Sequence, residues 1–166
     1  MFPTHVLIEG QALSILHEPR TDFGPHGDAL RLADDTGRPN VLTRLEISGR
    51  DRVVWLLWED RGFDAFGLAY VRATDTLFVG AGRISATIHI ESRRIVERNE
   101  PDVFWGHERV GTYVLELGEL ECILYDPAGC VIGHAPVDPP YEYEVEDDGI
   151  RFRSIVLGER YIRFPG

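Results

Sequence analysis

The sequence predicts an all-β domain of antiparallel meanders that form a sandwich or an incomplete barrel, with little helix. First, 17 Gly and 10 Pro interrupt almost every window before a helical spacing of apolar residues extends over about ten residues. Second, the runs between these breaks are short and rich in Val, Ile, Leu, Tyr, Phe and Thr, as is typical of strands. Third, a strand–turn–strand pattern occurs twice. The 166 residues, 43% of them hydrophobic, fit a single β-rich domain spanning 1–166.

The strand pattern fits most of the chain. The predicted strands cover residues 6–9, 12–17, 29–33, 41–47, 52–59, 67–72, 77–80, 83–90, 94–97, 112–117, 120–125, 130–134, 141–146, 150–157 and 160–164. Residues 52–59 are apolar on both faces and are therefore expected in the centre of a sheet. Residues 18–28 are polar, contain two Pro and two Gly, and predict a loop. The expected core includes residues 54–58, Phe78, Ile84, Ile88, Val114, Leu124, Val131, Tyr143 and Phe152.

The C-terminal hairpin is the clearest local pattern. Residues 141–146 alternate strictly between Tyr or Val on one face and Glu on the other, and Asp147-Asp148-Gly149 is a strong turn signal. Arg151 and Arg153 alternate with Ile and Phe in the next strand. A two-residue loop at 148–149 would pair Glu146 with Arg151 and Glu144 with Arg153. A four-residue loop would pair Glu144 with Arg151 and Glu142 with Arg153.

The internal repeat relates residues 76–96 to residues 112–132, each with three strands separated by Gly-containing turns. Residues 74–134 resemble the blade repeat of quinoprotein-type β-propellers, although Val96 and Gly133 stand near the place of the family's usual Trp. Two such units are too few to close a propeller, which needs at least four blades. The resemblance therefore implies a β-meander and no quinone cofactor. The chain as a whole is similar to bacterial β-proteins, which implies no function.

The motifs of common catalytic sites are missing from the sequence. There is no Gly-x-Ser-x-Gly elbow, and the P-loop needs a Lys, which the chain lacks. Gly80-Ala81-Gly82 continues into a predicted strand rather than a helix, so no pyrophosphate site is expected. The six His residues are scattered singly, and a Cys-x7-Cys pair does not have zinc spacing. We therefore expect no enzyme activity, no cofactor and no metal.

The two cysteines flank a predicted turn at Asp126-Pro127-Ala128-Gly129, which would hold Cys122 too far from Cys130 for a disulfide. The N-terminal residues show no basic segment followed by an apolar run. Free thiols and the lack of a signal sequence favour a cytoplasmic location.

The acidic residues are concentrated in one third of the chain. Residues 97–148 contain 14 Asp or Glu but only Arg98 and Arg109, whereas the remaining residues are close to neutral. This asymmetry disfavours binding to nucleic acids and anionic membranes and favours a basic protein partner. An acidic surface that only keeps the protein soluble is the equal alternative.

The leading hypothesis is a binding protein of the immunity or inhibitor type that neutralises a basic toxin domain, for example a nuclease. Phe104-Trp105-Gly106-His107-Glu108 is expected to be a loop, in which Trp105 either caps the core or makes contacts. The candidate partner contacts are Trp105, Glu116, Glu119, Glu121, Tyr141, Glu142, Glu144 and Glu146. They would not form such a surface if the carboxylates were mostly paired with arginines or spread over several faces.

Two alternatives belong to other classes. A small-ligand-binding β-barrel predicts an apolar pocket that Trp55, Trp58, Tyr70 and Trp105 would line. A structural module that pairs through an exposed edge strand predicts a homodimer.

Overall fold

A computed structural model describes residues 4–8, 13–22, 29–35, 37–47 and 53–166. The described residues form sixteen strands and no helix, which confirms the all-β class. The strands are β1 (Thr4–Ile8), β2 (Leu13–Pro19), β3 (Leu30–Ala33), β4 (Val41–Ile47), β5 (Val53–Trp58), β6 (Phe66–Val71), β7 (Thr76–Ala81), β8 (Ile84–His89), β9 (Arg94–Asn99), β10 (Phe104–Val110), β11 (Tyr113–Gly118), β12 (Glu121–Tyr125), β13 (Val131–Pro136), β14 (Tyr141–Glu146), β15 (Gly149–Ser154) and β16 (Gly158–Arg163).

The strands form four sheets, and the described part of the chain contains no closed barrel. The first sheet has the order β2-β4-β5-β3, the second β1-β6-β7-β8-β9, the third β10-β11-β12-β13 and the fourth β14-β15-β16. Two strand pairs, β1–β6 and β3–β5, are parallel, and the other pairs are antiparallel. Across the described ranges, no helix has the length and apolar character that spanning a bilayer requires. The predicted loop at 18–28 lies largely outside the described residues.

Three hydrophobic cores lie between successive sheets. The core between the first and second sheets includes Leu45, Leu56, Trp58, Phe66, Leu68 and Tyr70. The core between the second and third includes Ala69, Val71, Phe78, Val114, Ile123 and Tyr125. The core between the third and fourth includes Leu115, Leu124, Ala135, Ile150, Phe152 and Ile162. The second and third sheets are therefore buried on both faces, and polar residues within their strands lie in the interior.

The internal repeat corresponds to two antiparallel meanders, each of four strands rather than three. The first meander is β6–β9 and the second is β10–β13. The first strand of the second meander, β10, was predicted as a loop, and this prediction was wrong. Phe104 pairs with Gly118 and Gly106 with Leu117, so Trp105 is the extra residue of a β-bulge. The bulge breaks the two-residue alternation by which strands are recognised in sequence.

The predicted core is confirmed in most positions. Residues 54–58, Phe78, Ile84, Ile88, Val114, Leu124 and Phe152 are buried, whereas Val131 and Tyr143 are half-buried. Trp58 and Tyr70, which were expected to line a ligand pocket under the barrel hypothesis, instead pack in the core. The Trp58 indole donates to the Thr43 hydroxyl at 2.9 Å, and the Tyr70 hydroxyl donates to Asp75 at 2.6 Å.

Candidate functional site

Trp105 is presented to solvent by the bulge in β10. Its neighbours Phe104 and Gly106 are buried, but the Trp105 side chain keeps 36% of its surface exposed. A bulge residue lies outside the regular pairing of the ladder, and bulges commonly re-aim a side chain at a functional surface. The structure thus places this large aromatic residue at the surface rather than over the core.

Tyr141 stacks on Trp105. The two ring centroids lie 5.3 Å apart with an angle of 4° between the planes. The Tyr141 hydroxyl donates to the Gly118 carbonyl at 2.9 Å and accepts from the Cys122 thiol at 3.3 Å. Burial raises the pKa of Tyr141 above its usual value, so the hydroxyl stays a donor at neutral pH. These contacts fix the aromatic pair between the third and fourth sheets.

The turn between β11 and β12 lies beside this aromatic pair, because it directly follows Gly118. The turn is held on both sides, since the Glu119 N–H donates to the Val103 carbonyl and the Val137 N–H to the Leu120 carbonyl, both at 2.9 Å. Leu120 is 47% exposed. Glu119 is half-buried and Glu121 is exposed. Trp105, Tyr141, Glu119, Leu120 and Glu121 together form what we call the aromatic end of the molecule.

Glu116 was predicted to contact a partner, and the structure contradicts this placement. Its side chain is 2% exposed and lies between the second and third sheets. One carboxyl oxygen accepts from the Ser85 hydroxyl at 2.7 Å, and the other accepts from the Tyr125 hydroxyl at 3.1 Å. This burial was not predictable from the sequence, because β11 is an interior strand only when both faces of the third sheet are packed.

His107 belongs to the same buried polar cluster. Its Nε2 lies 3.6 Å from the second oxygen of Glu116, and its ring packs against Phe104 with the centroids 4.9 Å apart. Ser85, Glu116 and His107 are all nearly inaccessible to solvent. In this arrangement the carboxyl group lies between the hydroxyl and the imidazole, whereas a catalytic triad places the imidazole between the other two groups. The cluster joins the second sheet to the third.

The remaining glutamates predicted as contacts lie on the outer face of the fourth sheet. The register pairs Glu144 with Arg151 and Glu142 with Arg153, which is the second of the two predicted alternatives. The loop is nevertheless only Asp147-Asp148, since Glu146 pairs with Gly149.

The ion pairs on this face run diagonally across the ladder. Arg151 forms a two-pronged contact with Glu146 at 2.5 and 3.1 Å, and Arg153 lies 3.4 Å from Glu144. The hydrogen bonds from Arg151 hold the pKa of Glu146 below its usual value. Two of the predicted contact carboxylates are therefore paired within the sheet.

The eight predicted contact residues consequently do not form one surface. Trp105 and Tyr141 stack at the aromatic end, and Glu119 lies in the turn beside them. Glu121 lies at the start of β12 on the face opposite to Cys122, where it is 3.2 Å from His134. Glu142, Glu144 and Glu146 lie on the outer face of the fourth sheet, and Glu116 is interior. The arginines that neutralise part of the acidic segment come from β15, which the charge count of residues 97–148 did not include.

Two open clefts lie on the outer face of the fourth sheet. The larger, about 590 Å³, is lined by Glu146, Asp148, Arg151, Glu159, Arg160, Tyr161 and Arg163. The smaller, about 310 Å³, is lined by Pro140, Glu142, Arg153, Ser154 and Ile155. Neither includes the aromatic residues that the barrel hypothesis requires. Within the described ranges, no three His, Cys, Asp or Glu side chains are placed to hold a metal ion.

No protein-family model matches this chain, and no curated protein matches it. Solved structures that match part of it include three of Kluyveromyces lactis Hsv2, each 9% identical. The form with a complete loop 6CD has a TM-score of 0.32 and aligns over 60% of this chain and 32% of its own. A second Hsv2 structure has a TM-score of 0.31 and aligns over 59% of this chain and 36% of its own. The form in which a Gly-Ser linker replaces loop 6CD also has a TM-score of 0.31 and aligns over 59% of this chain and 39% of its own. Hsv2 is a β-propeller, and the resemblance of this chain to it is weak. The described strands do not close into a propeller, and the aligned region spans about a third of each of the three structures.

Proposed function

We propose that this protein is a binding protein of the immunity or inhibitor type, which neutralises a basic toxin domain such as a nuclease through its aromatic end. We propose no catalytic step for this protein and no quinone cofactor for the meanders β6–β9 and β10–β13. The cytoplasm is the compartment in which we expect it to act.

The observation that carries this proposal is the exposed Trp105 stacked on Tyr141. Tryptophan and tyrosine are the residues that most often dominate binding energy at protein interfaces, because they bury a large area with few rotatable bonds. The stack and the hydrogen bond to Gly118 pre-order both rings, which lowers the entropy lost on binding. Leu120, 47% exposed, adds apolar area beside them.

The sign of the charge selects the partner. The aromatic end carries Glu119 and Glu121, and residues 97–148 as a whole are strongly acidic. Complementary charge around an apolar anchor accelerates association with a basic partner and disfavours acidic ones. Because Glu144 and Glu146 are already paired with Arg153 and Arg151, the carboxylates that would attract a basic partner are those of the aromatic end and Glu142.

The test is an affinity capture that compares two immobilised proteins, the wild type and Trp105→Ala. Both columns receive the same lysate of the source cells, and the bound proteins are eluted with a salt gradient. We expect a basic protein that the wild-type column retains to moderate salt and that the Trp105→Ala column loses. Recombinant partner then gives the affinity by calorimetry, and truncation of Trp105 should weaken it by at least about 2 kcal/mol, as for an interface hot spot.

Phe63→Ala is the matched control, because Phe63 is also an exposed aromatic, at 64%, but follows the first sheet. It should retain the same protein as the wild type. If every captured protein binds equally to the Trp105→Ala column, or if the captured proteins are not basic, the proposed function is wrong.

A further inference from the structure

The smaller cleft of the fourth sheet lies next to the aromatic end along the chain. Glu142, which lines the cleft, directly follows Tyr141, so the two side chains lie on opposite faces at the start of β14. A partner that lies across the start of β14 would therefore reach both. This gives the cleft a place in the proposed interface.

Among the described residues, the ion pairs of this face do not include Glu142. It pairs across the ladder with Arg153, but Arg153 is directed to Glu144 at 3.4 Å and to Glu159 at 3.3 Å. Arg151 also contacts Glu159, at 3.2 Å, so Glu142, Glu144, Glu146 and Glu159 share two guanidiniums, and this part of the face is negative. A cation that enters the cleft gains a partner without separating an existing pair.

Ile155 lines this cleft, and Val156 follows it in the same loop. Ile155 and Val156 form the tip of the β15–β16 loop and are each 78% exposed. The loop is fixed, because Ser154 pairs with Gly158, whose φ is +69°, and the Leu157 N–H donates to Asp138 at 3.0 Å. The tip thus presents an ordered apolar surface, and burying this surface against a partner would be favourable because it removes apolar area from water.

We propose that this cleft takes an Arg or Lys side chain of the partner beside Glu142, and that Ile155 and Val156 pack against an aliphatic residue next to it. The inference rests on the proposed function and adds the chemistry that the partner must present. Charge complementarity favours a basic side chain over an acidic one in the cleft. The exposed tip favours a partner in which an apolar residue lies next to this basic residue.

A nuclear magnetic resonance titration tests the cleft without a partner. The probe is acetyl-Leu-Arg-amide, and acetyl-Leu-citrulline-amide is its uncharged counterpart. We expect millimolar binding that shifts the amide signals of residues 154–156, and an affinity about threefold lower for the citrulline probe or for Glu142→Gln. Glu144→Gln is the matched control, because Glu144 is also exposed but is already paired with Arg153, and it should bind like the wild type. Shifts spread over other sheets, or binding indifferent to Glu142→Gln, would overturn the inference.

The partner captured on the wild-type column tests the aliphatic tip. The double variant Ile155→Ser/Val156→Ser should bind it at least about tenfold more weakly. If Trp105→Ala abolishes this binding while the tip variant and Glu142→Gln leave it intact, the proposed function stands and the cleft inference fails. If sedimentation shows a dimer that the tip variant dissociates, the occupant is a second copy of this chain and the inference also fails.

Discussion

Substitution of Glu116 should cost folding stability rather than binding. In Glu116→Ala the hydroxyls of Ser85 and Tyr125 lose their acceptor in a site with almost no access to water. A buried donor left without a partner costs about 1–3 kcal/mol, so the two together lower the free energy of unfolding by about 4 kcal/mol. That is a large part of the stability of a typical domain, which is about 5–15 kcal/mol.

Urea denaturation followed by circular dichroism measures this loss. Glu116→Gln keeps the shape of the side chain and one acceptor oxygen, so it should lose only about 1 kcal/mol. Glu121→Ala, at an exposed carboxylate of the neighbouring strand, should stay within about 0.5 kcal/mol of the wild type. The reasoning is refuted if Glu116→Ala unfolds at the same urea concentration as Glu121→Ala. It is also refuted if Glu116→Gln weakens binding of the captured partner as much as Trp105→Ala does.

Three other predictions concern packing and the thiols. A Cβ on Gly80 would lie 2.4 Å from the Phe104 ring, so Gly80→Ala should lower the free energy of unfolding by about 2 kcal/mol, and Phe104→Leu in the same chain should recover part of that loss in thermal unfolding. Cys130 is exposed and Cys122 is buried, so a thiol reagent should modify one cysteine in the native protein at pH 8 and both in urea; rapid reaction of both in the native state would contradict this. Burial raises the pKa of Cys122 to about 11, so the neutral thiol contributes its full stability below about pH 9, and this contribution decreases as the pH rises toward 11. Cys122→Ala should therefore lose less melting temperature than the wild type between pH 9 and 11, and the same pH profile for both proteins would contradict this prediction.

The sequence predicts this fold well where the chain pattern is local. The hairpin of β14 and β15 alternates clearly, and β14 has the predicted bounds 141–146. Strand β10 was missed because the bulge at Trp105 shifts the alternation by one residue, and Gly106 strengthens the appearance of a loop. The same local irregularity gives Trp105 its exposure.

The candidate site was less predictable, because it depends on which sheets pack together. Glu116 resembles any polar residue of a half-exposed strand, and only the second sheet packed over β11 shows that it is interior. Counting charge along the chain also overstated the acidity of β14, since Arg151 and Arg153 return beside it from the next strand. Trp105 and Tyr141 were each predicted as partner contacts, but the sequence does not indicate that they touch, because they are far apart in the chain and their stacking is visible only in three dimensions.

Hydrogen–deuterium exchange of the complex with the captured basic partner tests the central claim most directly. The account predicts that the partner slows exchange in residues 103–106, 118–121 and 140–142, which form and border the aromatic end, while the first sheet exchanges as in the free protein. Protection confined to the first and second sheets, with the segment around Trp105 unchanged, would contradict the account.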